Sequence, residues 1–194
     1  MADQTDSKGP QGPDKPAAPP SAPPKKETPP DPLKAEVPSV VLEKLRETFG
    51  ALLEEVVHHA GQISVHISAE RLLDLTIWLR DDEDCRMDLL MDLCAADYPD
   101  RERRFEIIYH LYSVPHNHFL RLKISAADGE SVPSVTPVWS GANWFEREIY
   151  DLFGVPFEGH PDLRRILLPD HWRGHPLRKE YPLAGFPDLH LKLR

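Results

Sequence analysis

Cysteine is nearly absent from this 194-residue sequence, with Cys85 and Cys94 the only two. An iron–sulfur cluster commonly draws on four closely spaced thiolates, so none is expected on this chain by itself. Two cysteines nine positions apart in an apolar stretch read as small buried hydrophobes rather than a disulfide, which suits a reducing compartment. No apolar run reaches the ~18–20 residues that span a bilayer and no apolar h-region follows the start, so any membrane contact is expected through partners. Glycine-rich phosphate loops, a dinucleotide fingerprint and a nucleophile elbow are missing, which leaves no self-contained active site and no catalytic or cofactor-binding residue. Residues 1–38 lack arginine, carry six acidic residues and hold 11 of the 21 prolines. That composition predicts a disordered Pro/Ala/Lys-rich tail, and it is unlike an Arg-rich, acid-poor transit peptide, which points to a bacterial cytoplasmic setting.

The formal net charge of −9 argues against nucleic acid as a partner. The charge is unevenly spread: residues 39–159 carry 11 Lys/Arg against 22 Asp/Glu, whereas residues 160–194 carry 7 against 4. A basic arm therefore follows an acidic domain, and it can dock on that domain or on an acidic neighbour.

The folded part is expected to span 39–138. Ser39 reads as an N-cap, and Val41 or Leu42, Leu45 and Phe49 form one helix face stopped by Gly50. Two strands follow, Leu52 to Val57 and Ile63 to Ile67, with Gly61 as the turn residue. Ser68 caps a second helix with Leu72, Leu75, Thr76 and Leu79 inward, and the acidic run Asp81 to Asp84 should fray its end. Met87 to Leu93 reads as a strand with Asp88 and Asp92 toward water; Phe105 to Tyr112 and Phe119 to Ile124 read as a hairpin around Pro115 to His118. The fold class is α+β, a small two-layer sandwich of helices on a mostly antiparallel sheet, with an extended C-terminal arm.

Residues 139–194 organise the rest. Ser140 and Gly154 bracket an amphipathic helix with Phe145, Ile149, Leu152 and Phe153 on one face. Glu146, Arg147, Tyr150 and Asp151 are assigned to the remaining surface, Arg147 within reach of Asp151. Beyond Gly154 the prolines at 156, 161, 169, 176, 182 and 187 forbid a helix, so the chain becomes an extended arm of alternating apolar anchors and cations. Large aromatics and arginines are interface residues, and such an arm is expected to be laid against a partner. The ten histidines hold no metal on this reading. His171 and His175 are separated by Gly174 beside Pro176, His58 and His59 point to opposite strand faces, and His116 to His118 spell three letters on a hairpin tip.

Glu146-Arg147-Glu148, then Asp151, Leu152-Phe153, His160, Arg164 and Ile166-Leu167, followed by Gly174 to Lys179 and Tyr181-Pro182-Leu183, form a specific pattern across some forty residues. It resembles the signature of the 30 kDa subunit family, the C subunits of bacterial NADH:quinone oxidoreductase, respiratory complex I. Glu180 stands where many relatives have Asp, and some relatives continue with a long wrapping tail. The resemblance implies a non-redox structural component in the peripheral arm of the complex, a hetero-oligomer in which this chain packs beside the D subunit and near the B subunit on the cytoplasmic side of the inner membrane. Electron transfer from NADH through FMN and Fe-S clusters to quinone, coupled to proton translocation, would use groups on other subunits. Glu146, Arg147, Glu148, Asp151, His160, Arg164, His175, Arg178 and Tyr181 are the implied interface residues. The small subunits of membrane-bound hydrogenases and deazaflavin-cofactor dehydrogenases look similar and remain alternatives, and a free-standing metal enzyme is the rival from another class.

Overall fold

The computed structural model describes residues 39–59 and 62–184. In chain order the elements are α1 (Ser39–Phe49), β1 (Leu53–His59), β2 (Gln62–Ile67), α2 (Leu72–Asp81), β3 (Leu89–Asp97), β4 (Phe105–Ser113), β5 (His118–Ala126), β6 (Val132–Pro133), α3 (Ala142–Phe153) and β7 (Phe157–Glu158). The main sheet runs β1-β2-β5-β4-β3. Every neighbouring pair is antiparallel except the central β2 and β5. A parallel pair needs a long crossover, and α2 with the β3-β4 hairpin supplies it. Strands β6 and β7 form a second, two-residue parallel ladder.

Alternation decides which sheet face is covered. Phe105, Ile107, Tyr109 and Leu111 on β4 and Leu120, Leu122 and Ile124 on β5 are buried, and they share one cluster with Leu45 and Phe49 of α1, Leu75 and Leu79 of α2, and Ile149 and Phe153 of α3. Burying each such side chain contributes about 1.5–3 kcal/mol, so the three helices are held on that face by apolar area. This is the expected sandwich. Among the described residues no helix is long and apolar enough to cross a membrane.

Local signals hold with some corrections. Ser68 accepts the Glu70 N–H and opens a short 3-10 turn, Ala69–Arg71, that leads into α2, whose inward residues are the expected Leu72, Leu75, Thr76 and Leu79. The acidic end of α2 is tied down rather than frayed: Asp82 accepts the N–H groups of Asp84 and Cys85 and pairs with Lys44 of α1. Ser140 does not cap α3, which starts at Ala142 after Gly141 with no side-chain cap. Gly154 ends α3 in the left-handed region at φ 75° as expected. Gly61 and the Ser39 side chain lie outside what the structure describes.

Candidate partner-docking arm

Helix α3 leaves its last carbonyls without helical donors, and the arm supplies them. The Leu152 carbonyl accepts the Leu177 N–H at 3.0 Å. The Phe153 carbonyl accepts Arg178 Nε at 2.6 Å, and the Asp151 carbonyl accepts His175 Nδ1 at 2.9 Å. Three successive carbonyls are thus capped by three neighbouring residues of the Gly174 to Lys179 stretch, and Arg178 brings positive charge to the negative end of the helix. The approach is close enough that a Cβ on Gly154 would meet His175 Cδ2 at 2.5 Å.

Asp151 is the hub of the packing. Its side chain is fully buried, and one carboxylate oxygen accepts the N–H groups of Ile166, Leu167 and Leu168 at 3.1, 2.8 and 2.8 Å. The other takes Arg165 Nη1 at 2.6 Å, and the same guanidinium reaches the carbonyls of Trp172 and Gly174. Burial opposes ionisation of Asp151, but the Leu168 N–H, the Arg165 guanidinium and the Leu167 and Ile166 N–H groups outweigh it and hold the carboxyl below its usual range. Burial, with Arg178 and Arg165 close by, pushes His175 down against the opposing Asp151 carbonyl, so a neutral ring with its proton on Nδ1 fits the donor role.

The other expected residues fall into three groups. Arg147 donates to the carbonyls of Arg164 and Arg165 at 3.1 and 3.0 Å, while His160 bridges Asn143 O and the Asp162 N–H, so both pin the arm to α3. Glu146 points inward instead: it is fully buried and accepts the Ser134 hydroxyl and the Val135 N–H, both at 2.7 Å. Burial pushes its carboxyl up to about 7, against those two hydrogen bonds. Glu148 and Arg164 are exposed, Arg164 pairing with Asp162. The Tyr181 N–H donates to the Arg178 carbonyl, and its ring lies against Gly174.

Two surface assignments are therefore corrected. Helical periodicity placed Glu146 and Asp151 toward solvent, but loop 134–136 and the arm cover that side of α3 with backbone donors. Arg147 does not pair with Asp151, whose oxygens are filled by the arm. Sequence reasoning passed over Arg165, which sits in the unassigned gap of the pattern. It also missed a clamp at the sheet end, where Arg104 pairs with Asp97 at 2.7 Å and with Glu180 at 2.6 Å, and the Lys179 N–H meets Asp97 at 2.8 Å. No spacing signal links positions so far apart.

Beside these intrachain contacts, α3 and the arm share an exposed apolar surface. Trp144 is 71% exposed and Leu167 60%. They flank a groove of about 450 Å³ lined also by Ser140, Gly141, Phe145, Glu148 and Ile166. Large exposed apolar residues grouped on a polar rim mark an interaction surface.

Residues 65–187 match the family described as respiratory-chain NADH dehydrogenase, 30 Kd subunit. The chain is 49% identical over 143 residues to the NADH-quinone oxidoreductase C subunit of Azorhizobium caulinodans, covering 72% of this chain and 68% of that one. It is 44% identical over 154 residues to the corresponding C subunit of Caulobacter vibrioides, covering 78% of each. The structure is similar to a chain of the membrane-bound sulfane sulfur reductase, an archaeal respiratory membrane complex, with TM-score 0.64, 21% identity and coverage of 75% of this chain and 85% of that one. At that identity the likeness concerns the fold alone.

Proposed function

The chain belongs to the respiratory-chain NADH dehydrogenase 30 kDa subunit family, and from that membership we propose that its arm is a preformed docking element in a multi-subunit respiratory complex. Its function is that of the C subunit of NADH-quinone oxidoreductase, supporting electron transfer from NADH to quinone. On this proposal it is structural: flavin, iron–sulfur clusters and quinone sit on other subunits, and the arm meets the D subunit with the B subunit nearby, on the cytoplasmic face of the membrane. Asp151, Arg147, His160, His175 and Arg178 shape the arm from within, Glu146 anchors α3, and Tyr181 supports the turn at Gly174. Glu148, Arg164, Trp144 and Leu167 face the partner.

The observation that carries this reading is the contrast between the buried Asp151 hub and the exposed Trp144 and Leu167 beside it. A buried carboxylate with four donors fixes a shape, whereas an exposed indole on the same helix offers a large apolar face for a partner to bury. The test is to express Trp144→Ala, Arg147→Ala and Glu148→Ala chains and measure the yield of assembled membrane complex and its affinity for quinone. Assembly is expected to fall before quinone affinity changes. Full assembly with lost turnover would overturn the structural role.

A further inference from the structure

Strand β3 carries a bulge between Leu90 and Asp92, which sets Asp92 rather than Met91 opposite His110 of β4. Two residues on, Cys94 occupies the same helix-free face of the sheet, because side chains alternate along a strand. One carboxylate oxygen, one thiol sulfur and one imidazole nitrogen then lie within 4.8 Å of one another. Bulges commonly re-aim a side chain, and here the bulge completes a set of three different donors.

We infer that Asp92, Cys94 and His110 form a binding site for a borderline-soft divalent cation, with zinc the best match to the mixed sulfur, nitrogen and oxygen donors. A tetrahedral zinc at about 2.0–2.3 Å from each donor holds them roughly 3.3–3.8 Å apart, so the observed spread closes by side-chain rotation. Asp92 is exposed and gives the ion an entry path, while Cys94 and His110 are half-buried. One Asp92 oxygen accepts the Leu93 N–H at 2.9 Å, which leaves the other for the metal. The ring of His110 is steadied edge-on against Phe119, with centroids 5.8 Å apart.

The surrounding charges are accommodated. Arg121 is engaged by Gln62 and Ser64, and Lys123 by Glu106. A metal-bound sulfur is a thiolate, so the ion displaces the Cys94 proton to solvent on binding. With three protein donors, the fourth position of a tetrahedral zinc is left to water.

All three donors come from this one chain, so the full-length chain serves for the test. Zinc uptake is measured by competition with a chelator, and cobalt substitution reports sulfur coordination through a thiolate-to-metal charge-transfer band. One ion per chain and a charge-transfer band are expected, unchanged in Cys85→Ser. Cys94→Ser should abolish the band, and Cys94→Ser, His110→Gln and Asp92→Asn should each weaken zinc binding at least ~100-fold, more than loss of an outer-shell partner costs. Asp92→Asn alters an exposed position, which separates loss of a ligand from loss of fold. No uptake by the natural chain, a band that survives Cys94→Ser, or zinc affinity unaltered by all three substitutions would overturn the assignment.

Discussion

The sheet and the arm of this molecule are held by different physics. The sheet region buries apolar side chains such as Ile107, Leu111, Leu122 and Ile124 against three helices, so its cohesion is spread over many interchangeable contacts. Residues 154–184 have one two-residue strand and are fastened by directed bonds that converge on Asp151 and the last turn of α3. Distributed burial degrades gradually when one group is removed. A hub fails as a unit, because every donor it satisfied becomes an uncompensated buried group.

Removing the hub is the sharpest test of that contrast. Asp151→Ala should cost about 3–5 kcal/mol locally, since it takes the carboxylate from Arg165 and leaves three N–H groups without their acceptor. Hydrogen exchange of the full chain should show residues 166–178 losing protection while β4 and β5 keep theirs. Leu122→Ala, at about 2–5 kcal/mol, should instead weaken both regions together; a loss confined to one strand would break the comparison. The next effect is pH-dependent. The folded pKa of Glu146, at about 7, lies above its usual 4.5 because burial penalises the ionised carboxylate, so the stability contributed by keeping it protonated is fully present below about pH 4.5. That contribution, on the order of 3 kcal/mol, is lost as pH rises through 7. Urea midpoints should therefore fall between pH 5 and 7.5 in the natural chain and less in Glu146→Gln, which keeps an acceptor for Ser134 and Val135. Gly154→Ala comes third, at about 1–2 kcal/mol for the left-handed backbone, plus displacement of His175. Proteolysis should then cut the arm before the sheet. Arg164→Ala, which removes an exposed pair with Asp162, should move the thermal midpoint by the equivalent of less than about 1 kcal/mol.

What the sequence disclosed follows the same division. Periodicity located Leu72, Leu75, Thr76 and Leu79 on α2 and both strands of the β4-β5 hairpin, because apolar burial repeats with the geometry of each element. The parallel pairing of β2 with β5 left no local trace, since it joins segments far apart in the chain. The inward positions of Glu146 and Asp151 were hidden for a related reason: a polar residue reads as surface until the backbone that will bond it is known. Ser140 looked like a cap by type, but the turn from Trp139 carries the chain past it before the helix begins. The Asp92, Cys94 and His110 cluster depends on a bulge that shifts register by one residue, below the reach of pattern alone.

The parallel seam at the centre of the sheet also sets the order in which the chain can assemble. β1 and β2 can close as a local hairpin, and β3, β4 and β5 as a local meander, each with short loops. Joining them brings Ser64 to Arg121 across 57 positions, so the entropic toll of loop closure falls on that single event. During synthesis the first hairpin emerges long before its neighbour, and its bare edge must wait in solution until β5 leaves the ribosome.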